Sequence, residues 1–361
     1  MTRAINFSAG PATLPLPVLE YAHNEFLDHE GTGMSLIEHS HRGAAYAKVH
    51  EEAKSLIREL MNVPDTHEIL FMQGGASAQF ALAPMNLRGD GQSADYINTG
   101  AWSDKAMAEA LITGAAREAG TGKVDGKYTR VPKQAELELD PSAAYTHFTS
   151  NNTIMGTQFH QFPDSGDVPL VADMSSDILW RPIDVSKFGL IYAGAQKNIG
   201  PAGLTVVIVR SDLVGDVLDC TPSMFNYQSH ADNGSMLNTP PTFAWYLAGL
   251  VFEWIGEQGG LAAMAEVNQR KAGKLYEVID RSDFYSSPVD PRYRSWMNVP
   301  FILADESLDA EFLSQAGDAG LLNLKGHRSV GGMRASIYNA MPEAGISTLT
   351  EFMAEFERSR G

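Results

Sequence analysis

Lys197 stands among small residues, in the run Leu190-Ile191-Tyr192-Ala193-Gly194-Ala195-Gln196-Lys197-Asn198-Ile199-Gly200-Pro201-Ala202-Gly203-Leu204, between two apolar stretches. Its glycine and alanine neighbours leave room for a planar group to approach the backbone and the ammonium. Desolvation or a nearby cationic ring lowers a lysine pKa, and the neutral amine can then form a Schiff base with an aldehyde. Upstream, Val168-Pro169-Leu170-Val171-Ala172-Asp173-Met174-Ser175-Ser176 reads as an apolar strand that ends in a carboxylate followed by hydroxyl side chains. A carboxylate at the carboxyl end of a parallel strand points into the crevice where α/β folds bind ligands. There it can keep a heterocyclic nitrogen protonated, which makes the ring an electron sink. Alone, Asp173 equally caps a helix or a turn, and a lone lysine is usually solvated. Each placed at a strand end, the two point to Schiff-base chemistry.

Other candidates are weaker singly. Phe71-Met72-Gln73-Gly74-Gly75-Ala76-Ser77-Ala78-Gln79-Phe80 reads as strand, glycine turn and helix start, where unpaired amides can hold an anion. It lacks the lysine pattern of a P-loop and the G-x-G-x-x-G spacing of a dinucleotide site. Trp102 follows a strand and can stack on a heterocycle or fill a core; Thr153 can donate to a ring oxygen or close a turn. Two basic clusters suit anionic substrates: His41 with Arg42, and Lys325, His327, Arg328 and Arg334. The arginine fork binds carboxylate or phosphate through two parallel hydrogen bonds. Gly326, Gly331 and Gly332 suggest a backbone shaped around a ligand.

Alternating helical and strand-like patterns predict an α/β fold around a mostly parallel sheet to position these residues. Tyr46, Val49, Ala53, Leu56, Ile57 and Leu60 form one stripe, so residues 44–61 are expected to be an amphipathic helix. Apolar runs at Glu68 to Met72, Tyr96 to Asn98, Tyr145 to Thr149, Val168 to Ala172, Leu190 to Tyr192 and Leu204 to Val209 read as buried strands. A helix at about Thr242 to Ile255 leads to the break Gly256-Glu257-Gln258-Gly259-Gly260. Beyond it we expect a smaller α+β unit: a helix from about Leu261 to Ile279, strands near Asn298 to Leu303 and Met333 to Tyr338 separated by a helix, and a last helix to Arg358. The expected division is a large domain at 16–258 and a small one at 259–361, joined by segment 1–15.

The chain has 361 residues, too many for one small core by the rough prior of about 150 per domain. Its 44 acidic and 27 basic residues give a formal net charge of -17, a field that repels nucleic acid. Any small anionic ligand therefore needs locally concentrated cations. The single cysteine, Cys220, excludes an internal disulfide and a thiolate metal cage, so no metal is expected and a reducing cytoplasm is the natural setting. No signal-peptide pattern opens the sequence, and its longest apolar run, Phe243 to Phe252, is about half a membrane span. No membrane partner is expected.

Taken together, these segments closely resemble the phosphoserine aminotransferases, fold-type I enzymes of pyridoxal phosphate. The resemblance covers Asn6-Phe7-Ser8-Ala9-Gly10-Pro11-Ala12, Ser40-His41-Arg42-Gly43, Tyr192 to Leu204, Asn233 to Met236 through Asn238-Thr239-Pro240-Pro241-Thr242, and Gly326-His327-Arg328 through Gly331 to Asn339. It implies that Lys197 binds pyridoxal phosphate covalently, Asp173 pairs with its ring nitrogen and Trp102 stacks on it. Thr153 and Gln196 would hold the cofactor, with Ala76 and Ser77 at its phosphate. Asn238 and Thr239 would reach the neighbouring subunit's phosphate in a homodimer with shared sites. Arg334 would take the substrate α-carboxylate, and His41, Arg42, His327 and Arg328 the distal group. The implied reaction is ping-pong transfer from glutamate to 3-phosphohydroxypyruvate, giving phosphoserine and 2-oxoglutarate. Some members also act on a four-carbon phosphorylated intermediate, giving 4-phosphohydroxythreonine in pyridoxine biosynthesis. Ser77 departs from members that carry arginine there. The related rivals are an alanine:glyoxylate-type transaminase and a cysteine desulfurase, for which Cys220 lies outside the expected site. A non-catalytic binding protein with the same fold is a further alternative.

Overall fold

The computed structural model describes residues 3–89, 91–215 and 217–361. The chain opens with β1 (Ile5–Asn6) and α1 (Leu16–Asn24), then α2 (Ala44–Met61), the helix expected from its stripe. Tyr46, Val49, Ala53, Ile57 and Met61 of α2 are buried, and Asn62 closes the helix in the left-handed conformation at φ 49°. Next come β2 (His67–Met72), α3 (Gly75–Leu87), β3 (Ser93–Asn98), α4 (Ala101–Thr113) and β4 (Ala115–Thr121). A small hairpin, β5 (Lys123–Val124) and β6 (Lys127–Tyr128), precedes β7 (Thr146–Thr149), and β8 (Asn151–Asn152) pairs with β9 (Thr157–Gln158). The strands β10 (Leu170–Asp173), β11 (Leu190–Gly194) and β12 (Thr205–Arg210) complete this part.

Seven of these strands form one sheet in the order β2-β12-β11-β10-β7-β3-β4. The ladders β11–β10, β10–β7, β7–β3 and β3–β4 are parallel, whereas β12 runs antiparallel to both β11 and β2. Hence β2 points the same way as β3, β7, β10 and β11, and all five open onto one edge. Every residue of β10 and β11 is buried, as expected for strands covered on both faces. Strand β4 lay outside the sequence expectation because its segment Ala-Ala-Arg-Glu-Ala-Gly-Thr is small and polar, typical of a half-exposed edge.

Downstream lie α5 (Tyr227–Asp232), α6 (Thr242–Glu257) and α7 (Gly260–Asp280). The anticipated flexible break is a tight turn, with Gly259 at φ 93° capping α7. A second, three-stranded sheet follows, β13 (Tyr285–Ser286), β14 (Asn298–Leu303) and, after α8 (Asp309–Asp318) and β15 (Leu321–Leu322), β16 (Met333–Ser336). The last helix is α9 (Glu343–Arg360). Leu275, Ile279, Phe301, Phe312, Met333, Ile346 and Phe356 form a core here, joined by Phe7 from the N-terminal segment. That segment is anchored by parallel pairing of Ile5 with Leu321. Leu261 and Met264, at the start of α7, pack instead on the core of the large sheet. No helix of the described residues is long and apolar enough to cross a membrane.

Candidate active site

Five parallel strand ends deliver the chemistry to one place. Asp173 is the last residue of β10, Lys197 follows the end of β11, Thr153 follows β7 and β8, Trp102 lies in the first turn of α4 after β3, and α3 starts beyond β2. Together they line a cavity of about 450 Å³, with Ala76, Ser77, Gln196, His327 and Arg334 also on its wall. Nine of the residues expected from sequence are thus brought together.

Lys197 Nζ donates to Thr153 Oγ1 at 2.7 Å. Among the described residues it forms no salt bridge. Burial pulls its pKa down to about 8; Arg334 adds to the depression, and Asp173 and Asp177 oppose it. The amine can therefore lose its proton near neutral pH, which a nucleophile toward an aldehyde must do. Asp173 is buried, and burial raises its pKa against the pull of Ser175 and Lys197. Its Oδ1 accepts from Ser175 N at 2.9 Å, which fixes the carboxyl plane. A carboxylate in such a place gains most from a cation set against it, as a protonated ring nitrogen would be.

Opposite this carboxylate, Gly74 turns the chain into α3 with φ 91°, and a Cβ there would lie 2.5 Å from Ala78 Cβ. Only glycine fits. Gly75 N is occupied by Thr205 Oγ1 at 2.8 Å. The amides of Ala76 and Ser77, in the first turn of α3, remain to meet an anion, assisted by the helix dipole. Trp102 supplies an aromatic wall, and its Nε1 is buried without a partner. The donor set therefore fits a flat heterocycle with an aldehyde, a protonated nitrogen and a phosphate tail.

Arg334, on β16 opposite Pro300 of β14, reaches the cavity from the smaller sheet. Its Nε is buried and has no partner among the described residues, so this donor is available to an incoming carboxylate. His327 lies beside it. Gly326, Gly331 and Gly332 are shaped around one another rather than a ligand: Gly326 N donates to Gly332 O at 2.8 Å, and a Cβ on Gly326 would meet Gly331 O. Arg328 is exposed and does not line the cavity. His41 and Arg42 are also outside it, in the loop before α2, where Arg42 Nε donates to His41 Nε2 at 3.3 Å. Asn238 and Thr239 lie off the cavity wall too, held by Gln73 Nε2 at 3.2 Å from Asn238 Oδ1 and 3.5 Å from Thr239 O.

Sequence reasoning missed Lys105, Asn151, Ser175 and Ser176 on the wall, and Asp177 behind it. Asp177 is fully buried, accepts from Gln158 Nε2 at 3.0 Å and contacts Ser150 Oγ. Burial pushes its pKa up to about 7, opposed by Ser150 and Gln158 and reinforced by Asp173. The run Asp173-Met174-Ser175-Ser176-Asp177 carried a signal for these residues, since polar side chains just past a buried strand end must face the same crevice.

The aminotransferase class-V family model matches residues 4–349. A phosphoserine aminotransferase of Pseudomonas putida is 56% identical over 359 residues, covering 99% of each chain. The chain belongs to the class-V aminotransferases. Among solved structures, the phosphoserine aminotransferase of Bacillus circulans subsp. alkalophilus superposes with a TM-score of 0.97 at 51% identity, covering 99% of both chains. A PLP-bound phosphoserine aminotransferase from Trichomonas vaginalis gives 0.94 at 42% identity, covering 98% of this chain and all (100%) of that one. The fold of this class-V aminotransferase is accordingly that of the fold-type I enzymes.

Proposed function

We propose that this class-V aminotransferase is a phosphoserine aminotransferase, moving an amino group from glutamate to 3-phosphohydroxypyruvate with pyridoxal phosphate as cofactor. One observation carries the reading: an amine free of ion pairs among the described residues, 2.7 Å from Thr153 Oγ1, shares a cavity with a buried strand-end carboxylate. Pyridoxal phosphate, when bound, supplies the electron sink that makes the substrate Cα–H acidic. Lys197 would hold it covalently, Asp173 would keep its ring nitrogen protonated, and Trp102, Thr153 and Gln196 would hold the ring. Ala76 and Ser77 would offer amides to its phosphate. Arg334 binds the substrate α-carboxylate by its fork and sets Cα within reach of Lys197 Nζ. Freed by substrate, that amine takes the Cα proton and returns it as acid, a role suited to a pKa near 8. Both half-reactions use the same groups, so ping-pong kinetics are expected.

In this reading the chain works as two units, 16–258 and 259–361, joined by segment 1–15, and as a cytoplasmic homodimer. The exposed apolar side chains of Phe26, Leu27, Met34 and Ile37 support a covered face. Asn238 and Thr239, placed beside the start of α3, then reach the partner's phosphate, and His41, Arg42 and Arg328 complete the distal subsite. The test is amino transfer from phosphoserine to 2-oxoglutarate, with alanine and aspartate as competing donors. Phosphoserine should be preferred at least about tenfold, the discrimination one charge-assisted contact gives. Equal or better turnover of alanine would overturn the assignment, as would full activity in Lys197→Ala.

A further inference from the structure

Nothing in the sequence separates Lys105 from an ordinary solvated lysine, yet it lines the same cavity as His327 and Arg334. Its Nζ lies 4.5 Å from the centre of the Trp102 ring, and Lys197 Nζ lies 5.4 Å from that same ring. Among the described residues no carboxylate pairs with it, in a chain with 44 acidic residues. The adjacent Asp104 is engaged by Asn98 Nδ2 at 2.7 Å and by the Tyr128 hydroxyl at 3.1 Å. Burial first, then the fields of Arg334, Arg328 and Lys105, hold the His327 imidazole below its usual range. Ser77, across the cavity, contributes no charge.

We propose that Lys105 is a specificity-determining residue that takes the distal anion of the substrate and favours a phosphate dianion over a carboxylate. The inference rests on the transaminase reading above and deepens it. Arg334, the more buried cation with a free Nε, suits the α-carboxylate that both substrates share. Discrimination must then come from a cation that meets the other end. A lysine ammonium is a point charge on a flexible stem, able to follow distal groups of different reach. Its attraction to a dianion is about twice that to a monoanion at equal distance, and a phosphate monoester carries close to two charges at neutral pH.

The test uses purified holoenzyme of the wild type, Lys105→Met and Lys105→Arg. Steady-state constants are measured separately for phosphoserine and glutamate, together with inhibition by inorganic phosphate. Lys105→Met should lower kcat/KM for phosphoserine about tenfold or more, mainly through KM, and that for glutamate by no more than about threefold. Inhibition by inorganic phosphate should weaken by a similar factor, and Lys105→Arg should recover most of both losses. An unchanged ratio of phosphoserine to glutamate efficiency overturns the proposal, and so does an equal loss on both substrates. If the wild type fails to turn over phosphoserine, the transaminase assignment falls instead. The phosphate arm then still decides Lys105, because undiminished inhibition in Lys105→Met overturns its role.

Discussion

Replacing Asp173 with asparagine keeps the side-chain volume and an acceptor for Ser175 N, now at 2.9 Å, while deleting one charge. The carboxyl sits at the buried end of β10, and burial disfavours its ionised form unless a cation stands against it. In the proposed reading a protonated ring nitrogen would be that cation, and the two would hold each other charged. Opposite unit charges about 4 Å apart attract by about 4 kcal/mol at an effective dielectric of roughly 20. With each ~1.4 kcal/mol worth a factor of ten in rate, kcat should fall by roughly 100- to 1000-fold. KM should move little, because in the proposed reading Asp173 would meet the cofactor rather than the substrate. The Asp173 charge also raises the Lys197 pKa, so the variant amine should titrate below about 8. Single-turnover reaction with glutamate, at saturating cofactor, measures the chemical step, and fluorescence titration measures cofactor affinity separately. A rate within about threefold of the wild type would refute the reasoning, since that leaves less than ~1 kcal/mol for the pair.

Three further substitutions probe the supports of the site. Gly74→Ala forces a side chain onto φ 91° and into Ala78 Cβ at 2.5 Å, so α3 must shift its first turn; cofactor affinity in apoenzyme reconstitution should drop about tenfold or more, and unchanged affinity would clear that turn of any part in phosphate binding. Asp177→Asn removes a carboxyl whose folded pKa, about 7, exceeds the ordinary carboxylate value. Between roughly pH 4 and 7 the folded wild type holds a proton that the unfolded chain has lost, so its stability declines as pH rises through that window. The melting temperature of the variant minus that of the wild type should therefore increase from pH 4 to pH 7; a constant difference contradicts the assigned protonation. Lys271→Met strips the buried donor that serves the carbonyls of Ile337, Tyr338 and Met341 at 3.1, 2.7 and 3.1 Å. Calorimetry should show a loss of about 3 kcal/mol, or some 5–10 °C in Tm, and an unaltered Tm would show those carbonyls to be satisfied by water.

The sheet was legible because β10, β11 and β12 are largely apolar on both faces, so their runs stand out without any alternation. The reversed direction of β12 was legible in principle. The short connection from Ala195 to Leu204 contains no helix, and a parallel return needs a crossover of about a dozen residues or more. That Asp173 and Lys197 share a cavity could be foreseen because strand ends in such a fold open onto one crevice. Lys105 could not, since a lysine on an exposed helical turn looks the same whether water or a cavity lies in front of it. Its one trace is the spacing to Trp102, three residues earlier on the same helical face. Arg328, His41 and Arg42 were singled out by charge and resemblance, which reveal residue type but not which surface of the folded chain a loop finally presents.

The spacing between the Lys197 amine and the Arg334 guanidinium depends on backbone as well as on the side chains themselves. Lys197 follows β11 of the large sheet and Arg334 lies on β16 of the small one, so something must hold the two sheets in register. Asn198, next to Lys197, accepts from Asn339 N at 3.0 Å, and Asn339 Nδ2 donates to Leu179 O at 2.9 Å. Asn268 of α7 donates to Asn339 Oδ1 at 2.8 Å and to Trp180 O at 3.1 Å. Lys271, one turn further along α7, clamps the carbonyls that follow β16. Each member is buried, so each lost bond leaves a desolvated partner unpaired at a cost of about 1–3 kcal/mol. Such a network resists the small rotations that would carry Arg334 away from Lys197. Because a misplacement of about 1 Å can cost a hundredfold in rate, in the proposed reading these asparagines and Lys271 would constrain turnover from outside the cavity wall.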